Sequence, residues 1–384
     1  MWYDRIVGDS IKKAAASFPA VLVTGPRQAG KTSLLRRLFP GAAYVTLDLP
    51  SAAEHAERAP ESFLASLGPT AIIDEVQYAP SLFRHLKVAI DRRRVNGRYL
   101  LTGSQQFGMM QGVSESLAGR CALIELRSLS GAELGEDPPE EDLLLRGGYP
   151  QLWVDRGLEP ALFFSSYLAT YLERDVRNLL HVGKLRDFER FLRAAALRSG
   201  QILSFADLAR DTGVAVSTAR EWISVLEASH QVFLLEPYFK SLGKRLIKSP
   251  KLYLTDTGLA CFLAGISTWK QLRDGPLLGP LWETFVVNQA LRGRASSGGR
   301  PALWYWRTRE GHEVDLLMQD GGKLWLAEAK AAENPSRGDA AALERFIAAD
   351  PGSVSRAHLV CRTGREFPLS KAVTAVPGRA WPRG

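Results

Sequence analysis

The octapeptide Gly25-Pro26-Arg27-Gln28-Ala29-Gly30-Lys31-Thr32 sets two glycines, with four residues between them, ahead of a Lys-Thr pair. That spacing fits a phosphate-binding loop, in which glycines let successive backbone N–H groups curl around a β-phosphate at a helix N-terminus. Lys31 would neutralise the β- and γ-phosphates, and the Thr32 hydroxyl would ligate Mg²⁺. Gly25, Pro26, Arg27, Gln28, Ala29, Gly30, Lys31, Thr32 and Ser33 are therefore the expected nucleotide contacts. Downstream, the apolar run Ala71-Ile72-Ile73 ends in Asp74 and Glu75. Asp74 would hold Mg²⁺ through water, and Glu75 would orient or activate the attacking water. A further run, Tyr99 to Thr102, ends in Gly103, Ser104 and Gln105, which are placed to sense a γ-phosphate or to form a simple turn. Arg120 reads either as an arginine finger or as a solvated residue flanking a strand.

A second set of chemical groups lies in the last third. Glu313–Met318 and Lys323–Lys330 alternate as strands around Asp320-Gly321-Gly322. A two-residue turn at Gly321-Gly322 pairs position 320 with 323. Counting outward, Asp315 then faces Glu328, and Glu313 faces Lys330, with all four on one face. Opposed carboxylates repel unless something positive lies between them. A divalent metal would resolve the conflict, with Lys330 stabilising hydroxide or a developing phosphorane. Glu283, in an otherwise apolar helical segment, completes the candidate set Glu283, Asp315, Glu328, Lys330. The plainer reading is a Glu313–Lys330 surface ion pair beside an exposed Asp315.

Between the two lies a helix-turn-helix pattern. Phe205–Val214 has helical apolar spacing and ends in a Gly turn. Ser217 is expected to cap a second helix, Thr218 to Ala228, with Trp222, Ile223, Val225 and Leu226 inward. A strand at 231–235 follows, and this order suggests a winged helix. In a DNA reader the second helix offers polar groups near its start, here Thr218 and Arg220, although Glu221 repels phosphate. The basic run Lys240, Lys244, Arg245, Lys248 and Lys251 suits contact with a phosphate backbone, while packing or domain coupling is the competing use.

The elements that must position these groups follow from composition and periodicity. The chain has 384 residues, 46% of them hydrophobic, 23% charged, and a net charge of +8. That composition excludes a disordered chain and permits a polyanionic partner. No apolar run approaches the roughly 18 residues of a membrane span, and the charged start lacks a secretory signal. Cys121, Cys261 and Cys361 are isolated thiols with no disulfide framework or metal-ligand spacing. A cytoplasmic protein is expected. Short apolar runs at 21–23, 44–47, 71–73, 99–101 and 123–126 read as buried strands separated by helices, hence a parallel sheet covered on both faces. Six acids without a base around Pro138-Pro139, at 131–145, read as an exposed connector. Helix dominates from about 160 to 230, and strands return after 300.

With these residues in place, the chain resembles the bacterial and archaeal AAA-type ATP-binding proteins that carry a C-terminal domain of unknown function. The matching stretches are 25–32, Ile-Ile-Asp-Glu-Val-Gln at 72–77, Leu-Thr-Gly-Ser at 101–104 and Glu-Ser-Leu-Ala-Gly-Arg at 115–120. Gly-Gly-Tyr-Pro at 147–150 and Lys-Ser-Pro-Lys-Leu-Tyr-Leu-Thr-Asp-Thr-Gly-Leu-Ala at 248–260 complete them. The resemblance implies an AAA-type fold, ATP as the nucleotide, and hydrolysis at Lys31, Thr32, Asp74 and Glu75. The Glu, Asp and Glu-x-Lys order of the last third resembles the restriction-endonuclease-like nucleases. The expected fold class is α/β: a P-loop AAA-type parallel sheet (1–150), a helical and winged-helix region (151–265), and a restriction-endonuclease-like α/β domain (266–384). The expected function is a Mg²⁺-dependent ATPase that handles DNA, branched DNA included, in a chain free to form homo-oligomers. The competing expectation is an ATP-driven signalling switch that binds a protein partner.

Overall fold

Runs of four or five apolar residues, each followed by an amphipathic helix, build the first part of the chain. The computed structural model describes residues 1–103, 116–135, 138–171, 185–238, 249–295 and 302–382. It divides into two compact units, one formed mainly by Met1–Leu129 and the other by Ser130–Arg292 with the last stretch of the chain.

In the first unit, β1 (Ala20–Thr24), β2 (Ala43–Thr46), β3 (Ala71–Asp74), β4 (Tyr99–Thr102) and β5 (Cys121–Glu125) form one sheet. Its order is β2-β3-β4-β1-β5 and every pairing is parallel. Val21, Val23, Ile72, Leu100 and Ile124 pack on one face against α1 (Val7–Ser17) and α2 (Lys31–Leu38). Leu22, Ile73, Tyr99 and Leu101 pack on the other against Ala56, Phe63, Leu64, Leu86 and Ile90 of α3 (Pro50–Arg58), α4 (Pro60–Ser66) and α5 (Leu82–Arg92). Two covered faces explain why these strands read as continuous apolar runs rather than as alternations. The run at 44–47 differs from expectation. As β2 it is an edge strand with Ala43 and Tyr44 exposed, because only β3 pairs with it.

The second unit opens on the acidic stretch, which is not a bare connector. Ser130 and Glu133 form a reciprocal capping box on the helix Gly131–Leu134, and Pro139 precedes the helix Glu140–Leu145. The acids fall in first turns, where the helix dipole favours them, and Leu143 and Leu144 are buried. Glu136 and Asp137 lie outside the described residues. Helices follow at Pro150–Val154, Pro160–Tyr171, Leu185–Ala196, Phe205–Thr212 and Val216–Ala228. The last of these starts at Val216, so Ser217 sits within its first turn and does not cap it. Gly213, at φ 71°, ends the preceding helix, and the tight turn leaves Val216 already helical. Trp222 points inward as expected, edge-on to Phe188 and Phe191 with ring centroids 5.2 Å from each. A three-stranded antiparallel sheet, in the order β6 (Gln201–Ile202), β8 (Lys251–Leu254), β7 (Val232–Leu235), completes this region.

The helix Leu278–Ala295 leads into a six-stranded mixed sheet whose outer strands are β9 (Leu303–Arg307), β13 (Phe367–Pro368) and β14 (Thr374–Pro377), in the order β13-β14-β12-β11-β10-β9. Its central hairpin is β10 (Glu313–Asp320) and β11 (Lys323–Lys330), paired from Asp320↔Lys323 to Leu316↔Ala327. Gly321 and Gly322 have φ of 54° and 84°, which the mirror-image two-residue turn requires and side chains resist. β12 (Val354–Cys361) runs parallel to β11. Leu343 and Phe346, from the helix Ala341–Ala349, cover one face through Val314, Leu326 and Leu359. Trp282 is anchored through its Nε1, which donates to the Val360 carbonyl at 3.0 Å. Among the described residues, no helix is long and apolar enough to cross a membrane.

Candidate functional site

The phosphate loop lies at the carboxyl edge of β1. A Cβ on Gly25 would sit 1.9 Å from the Leu126 carbonyl oxygen, at a φ of 137°, so only glycine fits there. Gln28 and Gly30 also turn with positive φ, and α2 begins at Lys31. Lys31 is buried, and its Nζ donates to the Gly25 and Pro26 carbonyls, each at 3.0 Å. The ammonium thus rests on the loop's own oxygens, in the concavity where phosphate oxygens would replace them. Arg5 braces the loop through 2.9 Å donation to the Ala29 carbonyl.

β3 delivers Asp74 to the same edge. Thr32 Oγ1 donates to Asp74 Oδ1 at 2.7 Å, Thr102 donates to that same oxygen, and Tyr44 OH donates to Oδ2 at 3.0 Å. The hydroxyl of Thr32 beside a buried carboxylate is the hard oxygen set that Mg²⁺ takes, so these residues fit the ion. Burial first, and Asp74 second, raise the pKa of Tyr44, keeping its phenol a proton donor. Tyr44 and the bonding role of Thr102 escaped the sequence reading. Each is legible only as the polar member of an apolar strand whose neighbour carries the acid. Glu75 adopts a left-handed backbone, φ 56° and ψ 50°, with its N–H donating to Thr102 Oγ1 at 3.1 Å and Gln77 bonded to its carboxylate. Strain of this kind is tolerated where surrounding contacts hold it, and it clusters at functional residues.

The remaining expectations for this unit separate. Ser104 lies outside the described residues. Arg120 precedes β5, and its carbonyl accepts from Ala20 N at 3.1 Å, which places it at the amino edge of the sheet. The loop is at the carboxyl edge, about 15 Å away at the usual rise per strand residue. Arg120 forks instead onto Asp91, at 2.6 and 2.8 Å. It is therefore no arginine finger for its own chain's loop.

The second unit holds a cleft of about 1000 Å³ onto which Lys251, Glu283, Glu313, Asp315, Glu328 and Lys330 converge. Asp315 and Glu328 are only 8% and 6% exposed, which overturns the reading of an exposed Asp315. Asp315 Oδ2 accepts from Ala329 N at 2.9 Å, across the hairpin, and Lys330 pairs with Glu328 at 3.1 Å. Glu313 does not meet Lys330. It bonds to Lys251 and lies 3.1 Å from Arg307, because the β9–β10 register shifts between Val314 and Leu317. Lys251 was expected at a phosphate backbone, yet its side chain is 4% exposed. Its ammonium lies 2.7 Å from Glu283 Oε1 and 3.4 Å from Asp315 Oδ1, and Tyr253 OH donates to Glu283 at 2.6 Å.

The electrostatics follow from this packing. Burial opposes charge on Lys251, but Tyr253, Glu283, Asp315 and Glu313 outweigh it and raise its pKa well above the ordinary value. Burial, then Asp315, push Glu283 up to about 7 against the pull of Lys251. The same two causes push Glu328 up to about 8 against Lys330. With an ammonium among the expected ligands Glu283 and Asp315, the arrangement does not fit a divalent metal. Among the described residues, no cluster of His, Cys, Asp and Glu forms a metal cage.

Of the expected DNA contacts, Lys244, Arg245 and Lys248 lie outside the described residues. Thr218 is half-buried, and exposed Arg220 stacks over the Phe205 ring at 4.4 Å.

Comparison with known proteins finds three family models along the chain. A family model described as an AAA domain matches residues 17–135. Two described as domains of unknown function, DUF8612 and DUF4143, match 140–270 and 278–381. The uncharacterised protein Rv2008c of Mycobacterium tuberculosis is 36% identical over 371 residues, spanning 96% of this chain and 82% of its own. The uncharacterised protein Mb2031c of Mycobacterium bovis matches to the same extent. Among solved structures, the Walker-type ATPase PABY2304 of Pyrococcus abyssi covers 68% of this chain and 96% of its own at 16% identity, with a TM-score of 0.46. AMPPCP-bound DnaA from Aquifex aeolicus covers 58% and 86% at 16% identity, with a TM-score of 0.30.

Proposed function

This chain belongs to one family with the two mycobacterial proteins and carries an AAA-type P-loop ATPase module, and we propose that it is a Mg²⁺-dependent ATPase coupled to binding or remodelling DNA. The observation that carries the ATPase reading is the meeting of Lys31, Thr32, Asp74 and Glu75 at one sheet edge. Phosphate oxygens draw the Lys31 ammonium from the Gly25 and Pro26 carbonyls, and the loop's backbone N–H groups, Pro26 having none, cradle the anion. Mg²⁺, when bound, supplies charge neutralisation between the phosphates. Thr32 would hold it directly and Asp74 through water, while Tyr44 and Thr102 fix the Asp74 carboxylate. Glu75 orients the attacking water, and Gln77 sets the direction of its carboxylate.

The DNA assignment rests on the second unit. Two helices joined at Gly213 and followed by antiparallel β7 and β8 support a winged-helix reading of 151–265, with Thr218, Arg220, Lys244, Arg245 and Lys248 as the candidate phosphate contacts. The hairpin carrying Asp315, Glu328 and Lys330 supports a restriction-endonuclease-like reading of 266–384, with 1–150 as the ATPase domain. Lys251 among the carboxylates favours binding over cutting in that cleft. In a homo-oligomer Arg120 would serve a neighbour's loop, and mixing Lys31→Ala with Arg120→Ala chains would then restore turnover.

The test is phosphate release from ATP with single-stranded, duplex and four-way-branched DNA, using Lys31→Ala as the blank. Stimulation by one form is the expected result. A basal rate that no DNA alters would overturn the coupling and favour a switch that binds a protein partner.

A further inference from the structure

The cleft of the second unit carries an arrangement that ATP hydrolysis does not use. Four carboxylates, Glu283, Glu313, Asp315 and Glu328, face three cations, Lys251, Lys330 and Arg307. Lys251 comes from β8 and is held by the strand pairing on both of its sides. Its ammonium takes the oxygens of Glu283 and Asp315 that an oxygen-seeking cation would need. Glu328 meets Lys330 through Oε1 alone: its Oε2 is buried, lines the same cleft and has no hydrogen-bond partner among the described residues.

We propose that Lys251 is a tethered cation filling a latent divalent-metal site built from Glu283, Asp315 and Glu328. With the Lys251 ammonium in place, the site excludes metal. With the ammonium gone, the oxygens of Glu283 and Asp315 that it occupies, together with Glu328 Oε2, would be open to one oxygen-seeking dication. Mg²⁺ or Mn²⁺ is the class of ion such a set of carboxylate oxygens takes. Lys330, on the same hairpin face as Asp315 and Glu328, then remains beside the ion to stabilise negative charge. The inference goes beyond the ATPase reading, and failed DNA stimulation leaves it standing, because metal uptake needs neither nucleotide nor DNA.

The experiment is calorimetric titration of the full-length chain with Mn²⁺ in the absence of nucleotide, alongside melting curves with and without the ion. Wild type, Asp315→Asn, Lys251→Met and Lys251→Met/Asp315→Asn are compared. Expected is no Asp315-dependent uptake by wild type, and one Mn²⁺ per chain in Lys251→Met that is lost in the double variant. Mn²⁺ should also raise the melting temperature of Lys251→Met. Lys251→Met/Glu313→Gln removes one buried charge and serves where Lys251→Met alone does not fold. Two results overturn the proposal: Asp315-dependent Mn²⁺ uptake by wild type equal to that of Lys251→Met, or a folded Lys251 variant that takes up none.

Discussion

Replacing Glu328 by glutamine puts the electrostatics of the cleft to a direct test. Burial, then the charge of Asp315, hold the Glu328 carboxyl up to about 8 in the native protein. In the unfolded chain the group titrates near ~4.3. Between those values the native state keeps a proton that the unfolded chain releases. The resulting stabilisation is complete below the unfolded value and is lost as pH rises through about 8. At ~1.4 kcal/mol per unit, the gap sets a ceiling of about 5 kcal/mol. Two things lower it. Glu283, pushed up to about 7, competes for the proton, and Lys330, 40% exposed, keeps partial solvation when its partner changes. A value of about 2 kcal/mol is the working expectation. The glutamine amide stays neutral at every pH, so relative to wild type the Glu328→Gln variant should gain that amount as pH rises from about 4.3 to about 8. In melting temperature this is about 4–8 °C for a unit of this size. Intrinsic fluorescence is the assay, since eight of the nine tryptophans belong to the second unit. Parallel pH profiles for wild type and Glu328→Gln would show that Glu328 is ionised throughout, and the reasoning would fall.

Lys31→Ala should lower phosphate release by at least about 100-fold, since it removes the buried ammonium seated on the Gly25 and Pro26 carbonyls; a smaller loss in a phosphate-release assay would remove Lys31 from that role. Gly25→Ala forces a Cβ against the Leu126 carbonyl and should cost more than about 2 kcal/mol in the first unit, read as lowered melting and lost binding of a fluorescent ATP analogue. Tyr44→Phe deletes one hydrogen bond to Asp74, worth ~1 kcal/mol, and should raise the Mg²⁺ concentration for half-maximal turnover about fivefold, while nucleotide affinity without Mg²⁺ stays unchanged. An equal weakening of both would make Tyr44 a general structural residue.

What could be read along the chain is whatever short-range physics encodes. Gly25 to Thr32 specify a loop because φ > 0 and close backbone approach are demands on single residues. The Asp315–Lys330 face was legible because a two-residue turn fixes register and strands alternate strictly in twos. The apolar runs marked all five strands of the first sheet. Their order did not follow from them, so neither the exposure of β2 nor the placement of Arg120 at the far edge was foreseeable. The acidic 131–145 stretch misled for a related reason: composition shows charge, while burial of Leu143 and Leu144 depends on partners elsewhere. Lys251 is the clearest case. It stands 64 positions before Asp315, in a basic run that by composition suits a surface. Only the packing of β8 against the helix carrying Glu283 and the hairpin carrying Asp315 turns it into a buried counter-charge. The sequence by itself determined the phosphate loop, its acidic partner strand and the carboxylate face, because each is local. Tertiary structure alone decided what neutralises that face, because a buried charge is defined by whatever the fold brings within a few ångströms of it.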